Sequence, residues 1–193
     1  MESSRLPTVS GPDSPPARLI LVGAARIAEA LAPMARLAGL EVTVVDPRPG
    51  LATPERFPGV ALSADAPEAA LGKAGVDRRT AVVSLAHDAA LDDPTLSAAL
   101  RSEAFFVGCL GGRNTQAALR DRLRARGFGE GDLTRLHGPV GLPIGAATPG
   151  EIAVSILAQV VGSFRGGTSA PQASCAAGSG PVEKREGPSA SHR

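Results

Sequence analysis

Short apolar runs alternate with amphipathic segments between residues 18 and 165. Residues 18–23 are almost continuously apolar and of strand length, which is typical of a strand covered on both faces. Apolar side chains then recur at helical spacing, and Gly39 stands where such a helix would end. These helical positions are Ile27, Ala30, Leu31, Met34 and Leu37. A strand followed by a crossover helix is the unit of a parallel α/β sheet.

The same alternation continues towards the C-terminus. Further strands are predicted at residues 41–45, 60–62, 80–85 and 105–108, and further helices at 67–74, 94–101, 115–126 and 149–164. We expect Asp93 to cap the helix that begins at Pro94, and Thr148 to form a capping box with Glu151. The pattern predicts a Rossmann-like, doubly wound parallel sheet with strand order 3-2-1-4-5.

The two ends of the chain differ in composition from this region. Residues 1–17 are rich in Ser and Pro, and residues 166–193 in Gly, Ser, Ala and Pro. Neither segment has enough apolar surface to offset its ordering entropy, so both are predicted to be disordered. Residues 18–165 then form a single domain of ordinary size.

Charge and composition narrow the possible partners. Lys and Arg number 20 against 19 Asp and Glu, and the chain has neither Trp nor Tyr. There is no basic field or set of aromatic platforms for nucleic acid, and no apolar stretch that suits a membrane or a secretory signal. We therefore expect a cytoplasmic protein with reduced cysteines. Cys109 is interpreted as a buried strand-end residue, with a reactive thiol as the alternative.

A glycine turn between the first strand and helix is the first candidate for ligand binding. Gly23-Ala24-Ala25-Arg26 occupies the place of the G-x-G-x-x-G/A motif of dinucleotide folds, but Ala25 replaces the middle glycine. Its methyl group weakens close contact with a diphosphate, although the helix N-terminus still offers N–H groups to an anion. A purely structural role in packing stays open.

Asp46 ends the second strand about 20 residues further on, where a carboxylate accepts hydrogen bonds from a ribose diol. Its alternative role is to cap the Pro-rich turn that follows. Arg48 is a candidate for contact with a 2′-phosphate, or it merely solvates the loop.

Two more strand ends carry candidate residues. His87 and Asp88 follow the fourth strand, next to the first strand at the topological switch, where the imidazole can donate to phosphate or relay a proton. Gly111, Gly112 and Arg113 form a second glycine-rich turn, in which the guanidinium can bind phosphate. We expect these groups to converge with Asp46 on one cleft. Residues 138–145, with His137 before them, are interpreted as a structural loop.

Catalytic signals are weak. We find no Ser/His/Asp set, no paired carboxylates and no clustered metal ligands, and residues 18–165 contain no Tyr and only one Lys, Lys73. The sequence favours a ligand-binding protein over an enzyme.

Taken in order, these pieces resemble the C-terminal Rossmann domain of the XdhC/CoxI family, the maturation factors of molybdenum hydroxylases. The resemblance covers about residues 18–166. It rests on Val44 to Pro49, Ala52 to Pro58, His87-Asp88, Leu91 to Pro94, Gly108 to Arg113, Gly141 to Gly145, and Thr148 to Ala153.

The resemblance implies a carrier that binds molybdenum cofactor, as molybdopterin or its dinucleotide form, and assists its sulfuration or its insertion into a xanthine or carbon monoxide dehydrogenase. Implied partners are the apo-hydroxylase, a cysteine desulfurase and a separate protein bearing the family's N-terminal domain; homodimerisation is left open. The family's G-A-G-H turn is Gly23-Ala24-Ala25-Arg26 here, Pro143 replaces a common Asp, and Ala86 replaces a Thr. Without the N-terminal domain, the chain is expected to be a stand-alone paralogue or half of a two-chain factor.

Two other functions fit a Rossmann crevice. A regulatory module that binds NAD or another nucleotide needs no catalytic residues, and an NAD(P)-dependent oxidoreductase would need turnover that depends on His87.

Overall fold

The computed structural model describes residues 15–166. Its strands are β1 (Arg18–Val22), β2 (Glu41–Val45), β3 (Ala61–Ser63), β4 (Thr80–Ser84), β5 (Phe106–Cys109) and β6 (Leu136–His137). Its helices are α1 (Arg26–Leu37), α2 (Pro67–Ala74), α3 (Ala89–Arg101), α4 (Arg113–Ala125), α5 (Glu130–Leu133) and α6 (Pro149–Phe164). The terminal segments for which disorder was predicted lie outside the described residues, apart from residues 15–17 and 166.

The sheet is parallel throughout, with strand order β3-β2-β1-β4-β5-β6. The predicted Rossmann-like architecture and the order 3-2-1-4-5 are confirmed, and a sixth strand is added beside β5. This strand contains two residues, Leu136 and His137, which is too short to produce a periodic pattern. Its presence brings His137 to the same edge of the sheet as the other strand ends.

Alternate residues of the central strands enter two different apolar cores. Leu19 and Leu21 pack on the side covered by α1 and α6. Ile20 and Val22 pack on the side covered by α2, α3 and α4. Because both faces of β1 are covered, the strand is apolar almost throughout.

Helix α3 begins earlier than the sequence pattern predicts. Its N-cap is Asp88, whose side chain accepts a hydrogen bond from the Ala90 N–H at 2.9 Å. The prediction that Asp93 caps the helix at Pro94 is therefore wrong, since both residues lie inside α3. Asp93 is buried and ion-paired to Arg122 of α4, with the Arg122 Nε atom 3.0 Å from each carboxylate oxygen.

The start of α6 agrees with its local sequence signal. The Thr148 hydroxyl accepts a hydrogen bond from the Glu151 N–H at 3.2 Å, and the Glu151 carboxylate accepts one from the Thr148 N–H at 2.8 Å. The predicted capping box is confirmed. Helix α6 packs against α1, so this cap also determines where the loop before α6 ends.

The turn after β1 depends on the absence of a side chain at Gly23. Gly23 has φ = +100°, and its N–H donates to the Val45 carbonyl at 2.9 Å. A Cβ atom at this position would lie 2.7 Å from the backbone nitrogen of Ala86. The turn thus brings the end of β1 into close contact with the end of β4.

We expect Gly23→Ala to lower the free energy of unfolding by about 2–3 kcal/mol, because the methyl group meets backbone atoms and the positive φ adds strain. Gly39→Ala is the matched control, since Gly39 has φ = +82° but a methyl group added there would point into open space. It should cost about 1–2 kcal/mol from the backbone alone. Urea unfolding of both variants checks this, and equal losses would contradict the close contact at Ala86.

Candidate functional site

The carboxyl ends of β1, β2 and β4 meet where the sheet changes its winding direction, because β1 lies between the other two strands. We call the surface formed there by residues 23–26, 46–48 and 87–88 the switch crevice. Ligands of open α/β sheets bind at such a switch point. Most of the site residues predicted from the sequence belong to this surface.

Helix α1 begins in the crevice without a side-chain cap. Its N-cap is Ala25, with φ = −82°, so the backbone there does not require glycine. The replacement of the middle glycine therefore adds a half-buried methyl group without adding strain. Arg26 is exposed and forms no ion pair among residues 15–166.

Asp46 is buried at the end of β2, and its side chain is 0% exposed. The carboxylate accepts a hydrogen bond from the Ala24 N–H at 2.8 Å and one from the Arg48 N–H at 3.0 Å. The Arg48 guanidinium donates two more, at 2.8 Å through Nε and at 2.7 Å through Nη2. We call this set of contacts the Asp46 clamp. It joins β2, the glycine turn and the following loop.

The clamp keeps Asp46 ionised. Burial alone would raise the pKa of Asp46, but the hydrogen bonds from Arg48 and Ala24 outweigh it and hold the pKa below its usual value. Conversely, Asp46 raises the pKa of Arg48, with Asp88 adding to the effect. Arg48 thus lies within the field of both acids, one at the end of β2 and one at the N-terminus of α3.

In this arrangement the protein itself occupies the carboxylate that was predicted to contact a ribose. Both carboxylate oxygens already accept hydrogen bonds from the protein, so a ribose diol would have to displace Arg48. The alternative interpretation, a cap on the following turn, is realised by the Arg48 N–H. The Arg48 side chain is 41% exposed, so it is the member of the clamp that a ligand can reach.

His87 and Asp88 border the same crevice on its β4 side. His87 is exposed and adopts a left-handed backbone conformation with φ = 53°. Asp88 is the N-cap of α3, so its carboxylate is partly engaged by the helix. The prediction that these residues lie at the switch point agrees with the strand order.

The second glycine turn leads to a different cavity. Gly112 is the N-cap of α4, and Arg113 is the first residue of that helix. Arg113 lines a cleft of about 480 Å³ formed by α4, the end of β6, the loop at 138–146 and α6, which we call the β6 cleft. Asp46 and His87 are not among its lining residues. We expected Asp46, His87 and Arg113 to meet in one cleft. In the structure Asp46 and His87 border the switch crevice, and Arg113 lines the β6 cleft.

The β6 cleft contains residues whose importance the sequence did not reveal. His137 and Gln159 line it, together with the backbone of the Gly/Pro-rich loop at 138–146. The sequence pattern presented His137 only as the residue before a structural loop. A histidine directly before a rigid loop was the one available signal, and it does not indicate which groups the ring contacts.

A buried polar cluster lies beneath the ends of β4 and β5. The Ser84 hydroxyl donates to Asp92 at 2.5 Å, and burial raises the pKa of Asp92. Burial, together with the nearby Asp92, raises the pKa of Cys109 to about 12. The thiol is therefore protonated at neutral pH, which supports the interpretation of Cys109 as a buried strand-end residue.

No group of three or more His, Cys, Asp or Glu side chains within residues 15–166 is arranged to hold a metal ion. No helix in the same range combines the length and apolar character needed to cross a bilayer.

The Asp46 clamp predicts a large effect of Asp46→Asn. The variant keeps the shape but loses the charge that accepts four hydrogen bonds, so we expect the free energy of unfolding at pH 7 to fall by about 2–3 kcal/mol. Since folding lowers the pKa of Asp46, the wild-type advantage is present above about pH 4 and shrinks as the pH falls through the folded pKa.

Urea unfolding at several pH values measures this difference. Asp88→Asn is the matched control, because Asn caps a helix about as well as Asp and the Asp88 side chain is exposed. A cost for Asp46→Asn no greater than that for the control, at every pH, would show that the clamp contributes little.

Comparison with known proteins identifies the family. A model of the XdhC Rossmann domain matches residues 19–160. The chain is 28% identical over 146 residues to the molybdenum cofactor insertion chaperone PaoD of Escherichia coli, a match that covers 76% of this chain and 40% of PaoD. It is 32% identical over 148 residues to a Bacillus subtilis protein named as a probable subunit of xanthine dehydrogenase, covering 76% and 43% of the two chains.

A solved structure agrees with these matches. A crystal structure described as a xanthine dehydrogenase from Bacillus halodurans superposes with a TM-score of 0.69 at 31% identity, covering 79% of this chain and 44% of the other. The chain thus spans less than half the length of each of these relatives. The match over residues 19–160 shows that the chain belongs to the XdhC family, through its Rossmann domain.

Proposed function

We propose that this protein takes part in the maturation of a molybdenum hydroxylase of the xanthine or carbon monoxide dehydrogenase type. In this role it binds molybdenum cofactor, or its nucleotide form, and assists sulfuration or insertion. The observation that carries the proposal is the family match over residues 19–160. It is supported by a relative that is named as a molybdenum cofactor insertion chaperone.

The switch crevice supports a binding role for the phosphate of such a cargo. The Arg48 guanidinium is partly exposed at its mouth, and the N-terminus of α1 beside it has no side-chain cap. Both features favour an anion. The Ala24 N–H is already bonded to Asp46, so the groups assigned to the phosphate are Arg48, Arg26 and the first free amides of α1.

The remaining predicted residues take secondary roles in this proposal. Gly23 forms the turn, Ala25 caps the backbone of α1, and Asp46 positions Arg48. His87 and Asp88 border the crevice, and the imidazole is available as a hydrogen-bond donor to the cargo. In this proposal the protein is a carrier, and these side chains bind the cargo without forming a covalent bond to it.

A nucleotide-binding regulatory module is the second candidate function. The same crevice supports it, and in this function Arg48, near the end of β2, would contact a 2′-phosphate, as an Arg does in proteins that bind NADP. An oxidoreductase would in addition use His87 as a proton relay. These functions predict NAD(P) as the bound ligand, whereas the maturation factor carries a molybdopterin species.

The partners of the maturation factor follow from its cargo. We propose an apo-hydroxylase as the recipient and a cysteine desulfurase as the source of sulfur. A separate protein that carries the family's N-terminal domain is a further proposed partner.

The decisive experiment is to identify the ligand that the protein carries. The full chain is purified from cells that make molybdopterin, and the released ligand is identified and quantified by mass spectrometry. We expect Arg48→Gln to lower the occupancy roughly tenfold, because it removes a charge-assisted hydrogen-bond donor. Arg78→Gln is the matched control, since Arg78 is exposed, precedes β4 and pairs with Glu103 at the opposite end of the strands.

The outcomes separate the candidate functions. A molybdopterin species in the wild type and in Arg78→Gln, but not in Arg48→Gln, supports the maturation factor and its site. NAD(P) in its place would favour the nucleotide-binding module. Equal molybdopterin occupancy in all three proteins would contradict the assignment of Arg48.

A further inference from the structure

His137 is held rigidly at the end of β6. Its ring stacks on Phe106 with a centroid distance of 4.3 Å and an interplanar angle of 11°. The residue is 9% exposed. Arg120, which also lines the β6 cleft, ties β6 to α5, because its guanidinium donates to the carbonyl oxygens of Leu133 and Leu136 at 3.0 and 3.2 Å. The position of the imidazole is therefore set by packing on both the ring and the backbone.

A chain of hydrogen bonds determines which ring nitrogen carries the proton. The Gly141 N–H donates to the Gln159 side-chain oxygen at 2.7 Å, which orients the amide. The Gln159 amide nitrogen then lies 3.3 Å from Nδ1 of His137. An amide nitrogen only donates, so Nδ1 must accept and the proton of the neutral ring resides on Nε2. Burial also lowers the pKa of His137, which favours the neutral ring.

The Nε2–H group lacks a partner. No hydrogen bond joins it to an acceptor among residues 15–166, and His137 is one of the residues that line the β6 cleft. Nε2 is not one of the fully buried side-chain atoms without a partner in this range, so the atom remains accessible to solvent or to a ligand. An oriented donor of this kind, beside an open cavity, is typical of a binding site.

Arg113 supplies a positive charge to the same cleft. It is exposed at the first position of α4, and it forms no ion pair or side-chain hydrogen bond within residues 15–166. No Asp or Glu is among the residues that line the cleft. The apolar side chains of the walls include Leu110, Val140, Leu142 and Ile152, and a second guanidinium, that of Arg120, lines the cleft as well.

We propose that the β6 cleft is a second ligand-binding site, in which the His137 Nε2–H and the Arg113 guanidinium bind a carboxylate or phosphate group attached to an apolar ring. The volume of about 480 Å³ is ordinary for a small-molecule site. The two donors match an oxyanion, and the apolar walls match the ring. This site goes beyond the proposed function, because the switch crevice contributes no residue to it.

The tautomer of His137 gives a direct readout. The full chain is labelled with ¹⁵N-histidine, and long-range ¹H–¹⁵N NMR spectra are recorded at neutral pH; the three histidines, at positions 87, 137 and 192, are assigned with single variants. We expect His137 to be neutral with the proton on Nε2. A ring protonated on Nδ1 would overturn the proposal.

Ligand binding is tested with phenyl phosphate, benzoate and inorganic phosphate as probes. We expect phenyl phosphate and benzoate to shift the Nε2 signal of His137, and inorganic phosphate to bind roughly tenfold more weakly than phenyl phosphate because it lacks the apolar ring. Arg113→Gln should weaken phenyl phosphate binding about tenfold. Arg78→Gln, far from the cleft, should bind as the wild type does.

His137→Phe separates the hydrogen bond from the packing, because it keeps a ring on Phe106 and removes the Nε2–H. We expect calorimetry to show at least a tenfold loss of phenyl phosphate affinity in this variant. Urea unfolding verifies that it folds, and Arg113→Gln, at an exposed position, tests the site independently. The proposal would be overturned if both variants bound phenyl phosphate as the wild type does, or if none of the three probes shifted the Nε2 signal. Neither result would affect the proposed cargo of the switch crevice.

Discussion

The conformation of the carboxyl edge of the sheet depends on the hydrogen bonds that the buried carboxylate of Asp46 accepts. A charge that is removed from water needs hydrogen-bond donors on all sides, and here the donors come from Arg48 and from the glycine turn. Satisfying this one group therefore fixes the path of the chain after both β1 and β2. It also decides which groups of the turn are left for a ligand, because the Ala24 N–H is no longer free.

A similar chain of hydrogen bonds organises the other half of the edge. Gln159 of α6 connects the Gly141 backbone to His137, as Asp46 connects the glycine turn to Arg48. In both cases a buried polar side chain orients a second side chain that a ligand can reach. The two arrangements lie on different strands of one sheet, β2 beside β1 and β6 beside β5. Arg113 lines the β6 cleft, whereas Asp46 and His87 do not.

Periodicity predicted those elements whose signal is local. β1, β2 and α2 were found with bounds within one residue of those observed, and the Thr148 capping box lies within four consecutive residues. At Pro94 the local signal was misleading, because a proline that looked like a helix start lies inside α3. For β6 there was no signal, because the strand has only two residues. For the site, the sequence placed Asp46 at a strand end and offered the following turn as its partner, but it did not reveal the hydrogen bond from Ala24. The Ala24 amide is 22 residues away in sequence, as Gln159 is from His137, and only the fold brings such pairs together.

The change from Gly to Ala at position 25 is best understood together with the clamp. The Ala25 backbone has an ordinary negative φ, so the substitution alters the space above the turn and leaves its conformation intact. The added methyl group and the engaged Ala24 amide both act against a diphosphate lying on the turn, whereas Arg48 at the mouth is unaffected. In the proposed maturation factor, these features together favour a ligand whose terminal phosphate contacts the rim of the crevice. They disfavour a dinucleotide held along the turn in the way that G-x-G-x-x-G proteins hold it.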